Sequence, residues 1–288
     1  MGDALFFFFS ALGDTYAYLV VVPILFWTTD RHRYMRVLLF MVTVGFLNSI
    51  LKDLFQLPRP HVIDPRIVSV GHKAESGLGF PSGHVMSATA FWCYLAWQQR
   101  SWGFSALAVA VTGAIGFSRM YLGCHWPADV LGGLVIGGAA ATLLTLLDAR
   151  RQRLPERARF IAAAIVTTYA AAFLAACSHS LGRPDGFHGA AILVGCFVGW
   201  AVGGKTELPL TRTGRFVCCV LGLIGSFLLY RASRIPMSID PRVYLAALGF
   251  GSGLWIVWLA PRLAWLCGGA HSTVTNEVGF VPVSVEST

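Results

Sequence analysis

Charge is scarce in this chain. Only 12% of its residues are Asp, Glu, Lys or Arg, against about 25% in a typical soluble domain. With 56% hydrophobic residues and a mean hydropathy of +0.64, soluble globular folding is excluded and a polytopic membrane protein is expected. Acidic residues are rarest, at 14 against 22 Lys and Arg, yet the net charge of +8 forms no dense basic face and does not point to nucleic acid. Paired cysteines are missing as well. Cys93, Cys124, Cys177, Cys196, Cys218, Cys219 and Cys267 show no CxxC pairing and no metal-like spacing, so they read as small apolar packing residues. The first apolar stretch lacks a basic leader and a small-residue cleavage site, so no cleavable signal peptide is expected.

Long apolar runs are what remains. A spanning helix needs about 20 mainly apolar residues. Candidate spans fall near 4–28, 37–55, 81–99, 104–118, 127–147, 160–178, 188–203, 216–231 and 243–261. The expected fold is therefore an all-α, polytopic transmembrane helical bundle of about nine spans. Residues 1–266 form one membrane domain in this reading, and 267–288 a polar, poorly ordered C-terminal tail.

Basic residues set the expected orientation. One side of a nine-span chain holds 13 of them, including Arg31, Arg33, Arg36, Arg100 and the cluster Arg150, Arg151 and Arg153, and the other side holds 9. The positive-inside rule then places the richer side in the cytosol and the N-terminus outside.

Against this apolar background three strings stand out: Lys52-x6-Arg59-Pro60, Pro81-Ser82-Gly83-His84, and Ser118-Arg119-x5-His125-x3-Asp129. All three fall at helix ends on the non-cytosolic side. Lys52 and Arg59 are seven apart, a spacing that a helix would place on nearly one face, while Pro58 and Pro60 end the helix there and turn Arg59 into the loop. An ammonium and a guanidinium converging on one point suit a multiply charged oxyanion. Taken alone, the pair also fits two interfacial snorkelling residues. Pro81 and Ser82 read as a helix start whose amides, with Gly83 permitting close approach, face a bound anion. His84 follows in the first turn. In the third string Asp129 lies four residues after His125, on the same face if Trp126-Pro127 opens a helix. A carboxylate on one imidazole nitrogen fixes the tautomer and leaves the other nitrogen as a nucleophile. Arg119 adds a second fork for phosphoryl oxygens.

In order and spacing these strings match K-x6-RP, PSGH and SR-x5-H-x3-D, and the chain resembles the type 2 phosphatidic acid phosphatase superfamily, which includes vanadium haloperoxidases and glucose-6-phosphatase. The resemblance covers the motifs at 52–129 and the helices around them, a catalytic core of about 37–147; beyond it, the helices over 160–261 rest on hydropathy alone. It implies that His125 attacks phosphorus to form a phosphohistidine, that Asp129 orients the imidazole, and that His84 protonates the leaving oxygen and then activates water. Lys52, Arg59, Ser82, Gly83 and Arg119 would hold the phosphoryl oxygens. No cofactor or metal is implied.

The expected substrate is a membrane lipid phosphate: a phosphatidic-acid-like glycerolipid, a polyprenyl diphosphate or a sphingoid-base phosphate. The rivals are a small soluble phosphate ester, as in glucose-6-phosphatase, and a non-hydrolytic binding or transport protein on the same scaffold. A homo-oligomer is compatible with the extra spans. His72, Lys73 and Glu75 are loop residues near the expected entrance, and His179, Asp185 and His188 share the face without motif support.

Overall fold

The computed structural model describes residues 2–64, 66–67, 78–151, 153–180, 185–203, 210–235 and 238–269. Among them the chain is helical: α1 (Gly2–Leu12), α2 (Thr15–Thr28), α3 (Arg31–Phe55), the single turn α4 (Pro60–Ile63), α5 (Gly83–Gln99), α6 (Trp102–Tyr121), α7 (Pro127–Arg151), α8 (Glu156–Ser180), α9 (Asp185–Gly203), α10 (Arg212–Ala232) and α11 (Pro241–Leu254). α11 continues through a π-turn at Trp255–Leu259, the short α12 (Ala260–Ala264) and a second π-turn at Trp265–Gly269. Most of the tail expected at 267–288 lies outside the described residues.

Local chemistry sets the boundaries. Asp30 caps α3 by accepting the Arg33 amide at 2.9 Å, and Thr211 caps α10 by accepting that of Gly214 at 3.0 Å. α3 stops at Phe55 because Gln56 turns left-handed (φ 49°) and donates to the Lys52 carbonyl, with Pro58 and Pro60 just beyond. α7 opens on Pro127, whose missing N–H costs nothing at a first helical position.

Every expected span falls on helix, but the count of nine is not confirmed. Among the described residues, five helical stretches are long and apolar enough to cross a membrane: Arg31–Ile63, Trp102–Tyr121, Pro127–Arg151, Arg212–Ala232 and Pro241–Cys267. A sixth is added if Asp3–Leu12 and Ala17–Thr28, bent by 52°, make one span. α5 is only 17 residues long, with Val85 to Phe91 continuously buried. A helix enclosed by protein need not satisfy lipid all round. The outer surfaces are apolar, as a surface turned to lipid requires. Val109, Val135 and Phe216 are 72%, 70% and 69% exposed, and many other large apolar side chains point outward with them.

α5 is enclosed mainly by α7, α6 and α3. α5 and α7 approach closely along Gly133 and Gly137; a Cβ on Gly137 would lie 2.5 Å from the Met86 carbonyl oxygen. Small residues permit such backbone approach between membrane helices, where water gives no hydrophobic drive. The far ends of these helices are tied by polar contacts: Arg36 Nε lies 2.9 Å from Asp148 Oδ1, and the Tyr94 hydroxyl donates to Asp148 Oδ2. The later helices pack as a second group in which α9 lies against α11 and α8. They are joined to α2 through Trp27 Nε1, which donates to the Ile256 carbonyl at 2.8 Å. His188, singled out in the sequence, donates from Nδ1 to the Leu245 carbonyl at 2.9 Å, inside that second group.

Candidate active site

Four helix ends meet at one end of the first group: the C-termini of α3 and α6 and the N-termini of α5 and α7. The loop from Leu122 to Trp126 supplies the centre. Its course is held by the Arg119 carbonyl, which accepts the amides of Cys124 (3.1 Å) and His125 (3.3 Å) after Gly123 has turned left-handed at φ 67°. His125 is 3% exposed and Asp129 2%.

The imidazole is held from both sides. Nδ1 lies 3.2 Å from Asp129 Oδ2, which also accepts the Trp126 amide at 2.9 Å. A carboxylate that already takes one N–H donor fixes Nδ1 as the protonated nitrogen, so Nε2 carries the lone pair. Nε2 sits 3.5 Å from Arg59 Nη1, whose guanidinium also donates to the Cys124 carbonyl at 3.2 Å. Burial pushes the His125 pKa down from 6.5 to about 4. The Asp129 hydrogen bond opposes that shift, and the positive charges of Arg59, Arg119 and Lys52 add to it. At neutral pH the contact is therefore a neutral imidazole on a carboxylate, not an ion pair. An ¹⁵N-histidine NMR titration of the purified protein should show His125 neutral at about pH 5. Arg59→Gln should move its midpoint upward, because one of the opposing charges is gone. A midpoint at the ordinary histidine value in the wild type would contradict this environment.

The Pro81–His84 string is brought to the same place. The Ser82 amide donates to the Asp129 carbonyl at 3.0 Å, which joins the start of α5 to the start of α7. Ser82 is the N-cap of α5 and Pro81 precedes it, two places before the first helical position at Gly83. The Ser82 hydroxyl is fully buried and makes no hydrogen bond. Gly83 packs on Asn48, with a Cβ there only 2.9 Å from Asn48 Oδ1. His84 is half-buried in the first turn of α5.

The remaining cations arrive by different routes. Arg59 is the N-cap of α4 and is 5% exposed. Lys52 stays on the last turn of α3, and its Nζ donates to the Leu78 carbonyl at 2.8 Å. The two do not share a helical face, since α3 ends between them. Arg119, on the last turn of α6, is 2% exposed, and its Nη1 donates to Ser10 Oγ at 2.6 Å.

Two participants escaped the sequence reading. Asn48, one turn before Lys52, donates from Nδ2 to the Pro81 carbonyl at 3.2 Å and so fixes the α5 entry. Its four-residue spacing from Lys52 on an apolar helix was the available signal. Ser10 carried no signal at all, lying in an apolar run far from any motif. His72, Lys73 and Glu75 lie outside the described residues, as do the side chains of His179 and Asp185. Among the described residues no group of three His, Cys, Asp or Glu side chains is arranged to hold a metal ion.

Residues 33–153 match the model of the PAP2 superfamily. Human sphingosine-1-phosphate phosphatase 2 is 32% identical over 138 residues, which are 46% of this chain and 34% of that protein. Phosphatidylglycerophosphatase B of Escherichia coli K12 is 37% identical over 91 residues, covering 30% of this chain and 35% of the relative. The chain thus spans about a third of the length of either relative. The crystal structure of a transmembrane PAP2 type phosphatidylglycerolphosphate phosphatase from Bacillus subtilis is 24% identical, covers 53% of this chain and 79% of that one, and superposes with a TM-score of 0.45. The matched segment begins on α3 and ends just past α7, so it contains every one of the three motifs, and residues 33–153 are a PAP2 superfamily domain.

Proposed function

We propose that this protein is an integral membrane phosphatase that hydrolyses a phosphate monoester or diphosphate of a lipid through a phosphohistidine, without a metal. The observation that carries the reading is His125, with Nδ1 on Asp129 and the lone pair of Nε2 facing Arg59 in a buried, cationic pocket. Nε2 attacks phosphorus as the ester P–O bond breaks, and the developing charge is met by Arg59, Arg119, Lys52 and the unbonded Ser82 hydroxyl. His84 gives its proton to the departing alkoxide. It then takes a proton from water, which attacks the phosphohistidine, breaks the P–N bond and releases inorganic phosphate. Asp129 stabilises the imidazole while it carries positive charge.

A lipid substrate is supported by the placement of the site at helix ends of an apolar bundle. A scissile group at headgroup depth reaches it while the chain stays among the helices or in the bilayer. The relatives named for sphingosine 1-phosphate and phosphatidylglycerophosphate support the same class. With nine spans, the distribution of basic residues supports a site on the non-cytosolic face. Phosphate release by purified protein from phosphatidic acid, sphingosine 1-phosphate, a polyprenyl diphosphate and glucose 6-phosphate tests the reading. Turnover of at least one lipid, none of glucose 6-phosphate, inhibition by vanadate and indifference to EDTA are expected. Turnover of glucose 6-phosphate alone would overturn the lipid assignment, and strong EDTA inhibition the metal-free one.

A further inference from the structure

The first apolar run is not one helix. It breaks at Gly13 and Asp14 into α1 and α2, and it lies ahead of the matched domain at 33–153. α1 has 11 residues, so at 1.5 Å each it is about 16 Å long and too short to cross a bilayer. A break in an apolar span strands backbone polar groups, and at membrane depth it is tolerated only against protein or a polar cavity. Here the break meets the site. A Cβ on Gly13 would lie 2.5 Å from Ile115 Cγ2 and 3.2 Å from the Cβ of His84. One turn earlier, Ser10 Oγ accepts from Arg119 Nη1 at 2.6 Å, with Ser10 itself 7% exposed. Towards the start of α1, Phe6 stacks on Tyr121 with ring centroids 3.8 Å apart, and the Tyr121 hydroxyl donates to Asp3 Oδ1 at 3.0 Å. α1 is thereby fastened along the last turns of α6, with Ser10 at the level of Arg119.

We propose that Ser10 is a positioning residue that aims Arg119 at the phosphoryl oxygens, and that the broken first span forms the wall of the site on the α6 side. The proposal rests on the phosphoryl-transfer reading above. The choice of a hydroxyl is informative. A carboxylate at this point would pair with the guanidinium and cancel the charge that a phosphoryl group needs. An apolar side chain would remove the hydrogen bond that Nη1 makes on the α1 side. A buried serine holds Nη1 through one hydrogen bond and brings no negative charge of its own to the guanidinium.

The test uses the full chain in lipid nanodiscs, with phosphate release from a lipid phosphate, vanadate inhibition and thermal melting measured together. Ser10→Ala should lower kcat/KM and weaken vanadate inhibition by about tenfold or more, the effect of losing a hydrogen bond to a charged group, with the melting temperature little changed. Ser10→Thr, which keeps the hydroxyl, should recover most of both. In an Arg119→Gln background Ser10→Ala should add nothing, because the group it aims is gone. Wild-type kinetics and vanadate inhibition in Ser10→Ala would overturn the proposal. So would an equal loss in the Arg119→Gln background, which decides the matter even if Ser10→Thr packs poorly. Failure of the phosphatase reading looks different: wild type would release no more phosphate than His125→Ala, whatever stands at position 10.

Discussion

His125→Ala is expected to lower phosphate release from any lipid phosphate to the level of the enzyme-free control, a loss of at least about 10⁴-fold. The size follows from the role. In the proposed mechanism the other groups bind and stabilise charge, while His125 Nε2 supplies the lone pair beside Arg59, Arg119 and Lys52. Without it, water must attack the phosphate ester directly, with no covalent intermediate to divide the barrier. Substrate binding should survive, because the cations that hold the phosphoryl group remain. The decisive measurement pairs turnover with equilibrium binding of the lipid phosphate. Retained wild-type turnover in this variant would remove His125 as the nucleophile and the covalent intermediate with it.

Asp129→Asn is expected to cost nearly as much, about 10³- to 10⁴-fold in kcat, although it removes no nucleophile. Oδ2 of Asp129 accepts two donors, His125 Nδ1–H and the Trp126 amide. An asparagine has one acceptor oxygen, which the Trp126 amide will claim, and its NH₂ then faces Nδ1. A donor there stabilises the other tautomer, with the proton on Nε2 and no lone pair aimed at phosphorus. The stabilising charge for the phosphohistidine is lost at the same time. Steady-state kinetics separates this from misfolding: kcat should collapse while KM and the melting temperature stay close to wild type. If Asp129→Asn turned over normally, the carboxylate would be a packing contact of the α7 start and nothing more.

How much was legible beforehand differs from residue to residue. The His125–Asp129 pairing was readable because it is local: Pro127 starts a helix, and four residues bring two side chains together. The site's contents were readable because an ionisable side chain in an apolar chain needs a compensating function. The relation of Lys52 to Arg59 was legible in part, because Pro58 and Pro60 already turn Arg59 out of the helix. A seven-residue spacing implies a shared face only while the helix lasts, and Gln56 ends it between them. The number of spans was read from hydropathy, which cannot tell a helix facing lipid from one such as α5 that is short and sheltered by its neighbours.

By itself, then, the sequence determined the helical, membrane-borne class of the protein, helix ends such as those at Phe55 and Pro127, and the three motifs of the matched domain. These depend on composition and on spacings within a turn or two, which the backbone geometry enforces wherever the chain lies. Only the tertiary structure decided which distant groups serve those motifs: Asn48 beneath the start of α5, the Arg119 carbonyl steering the His125 loop, and Ser10 on Arg119 across 109 positions of sequence. Such contacts arise from how helices pack, and packing is set by the fit of whole surfaces rather than by any short pattern of residues.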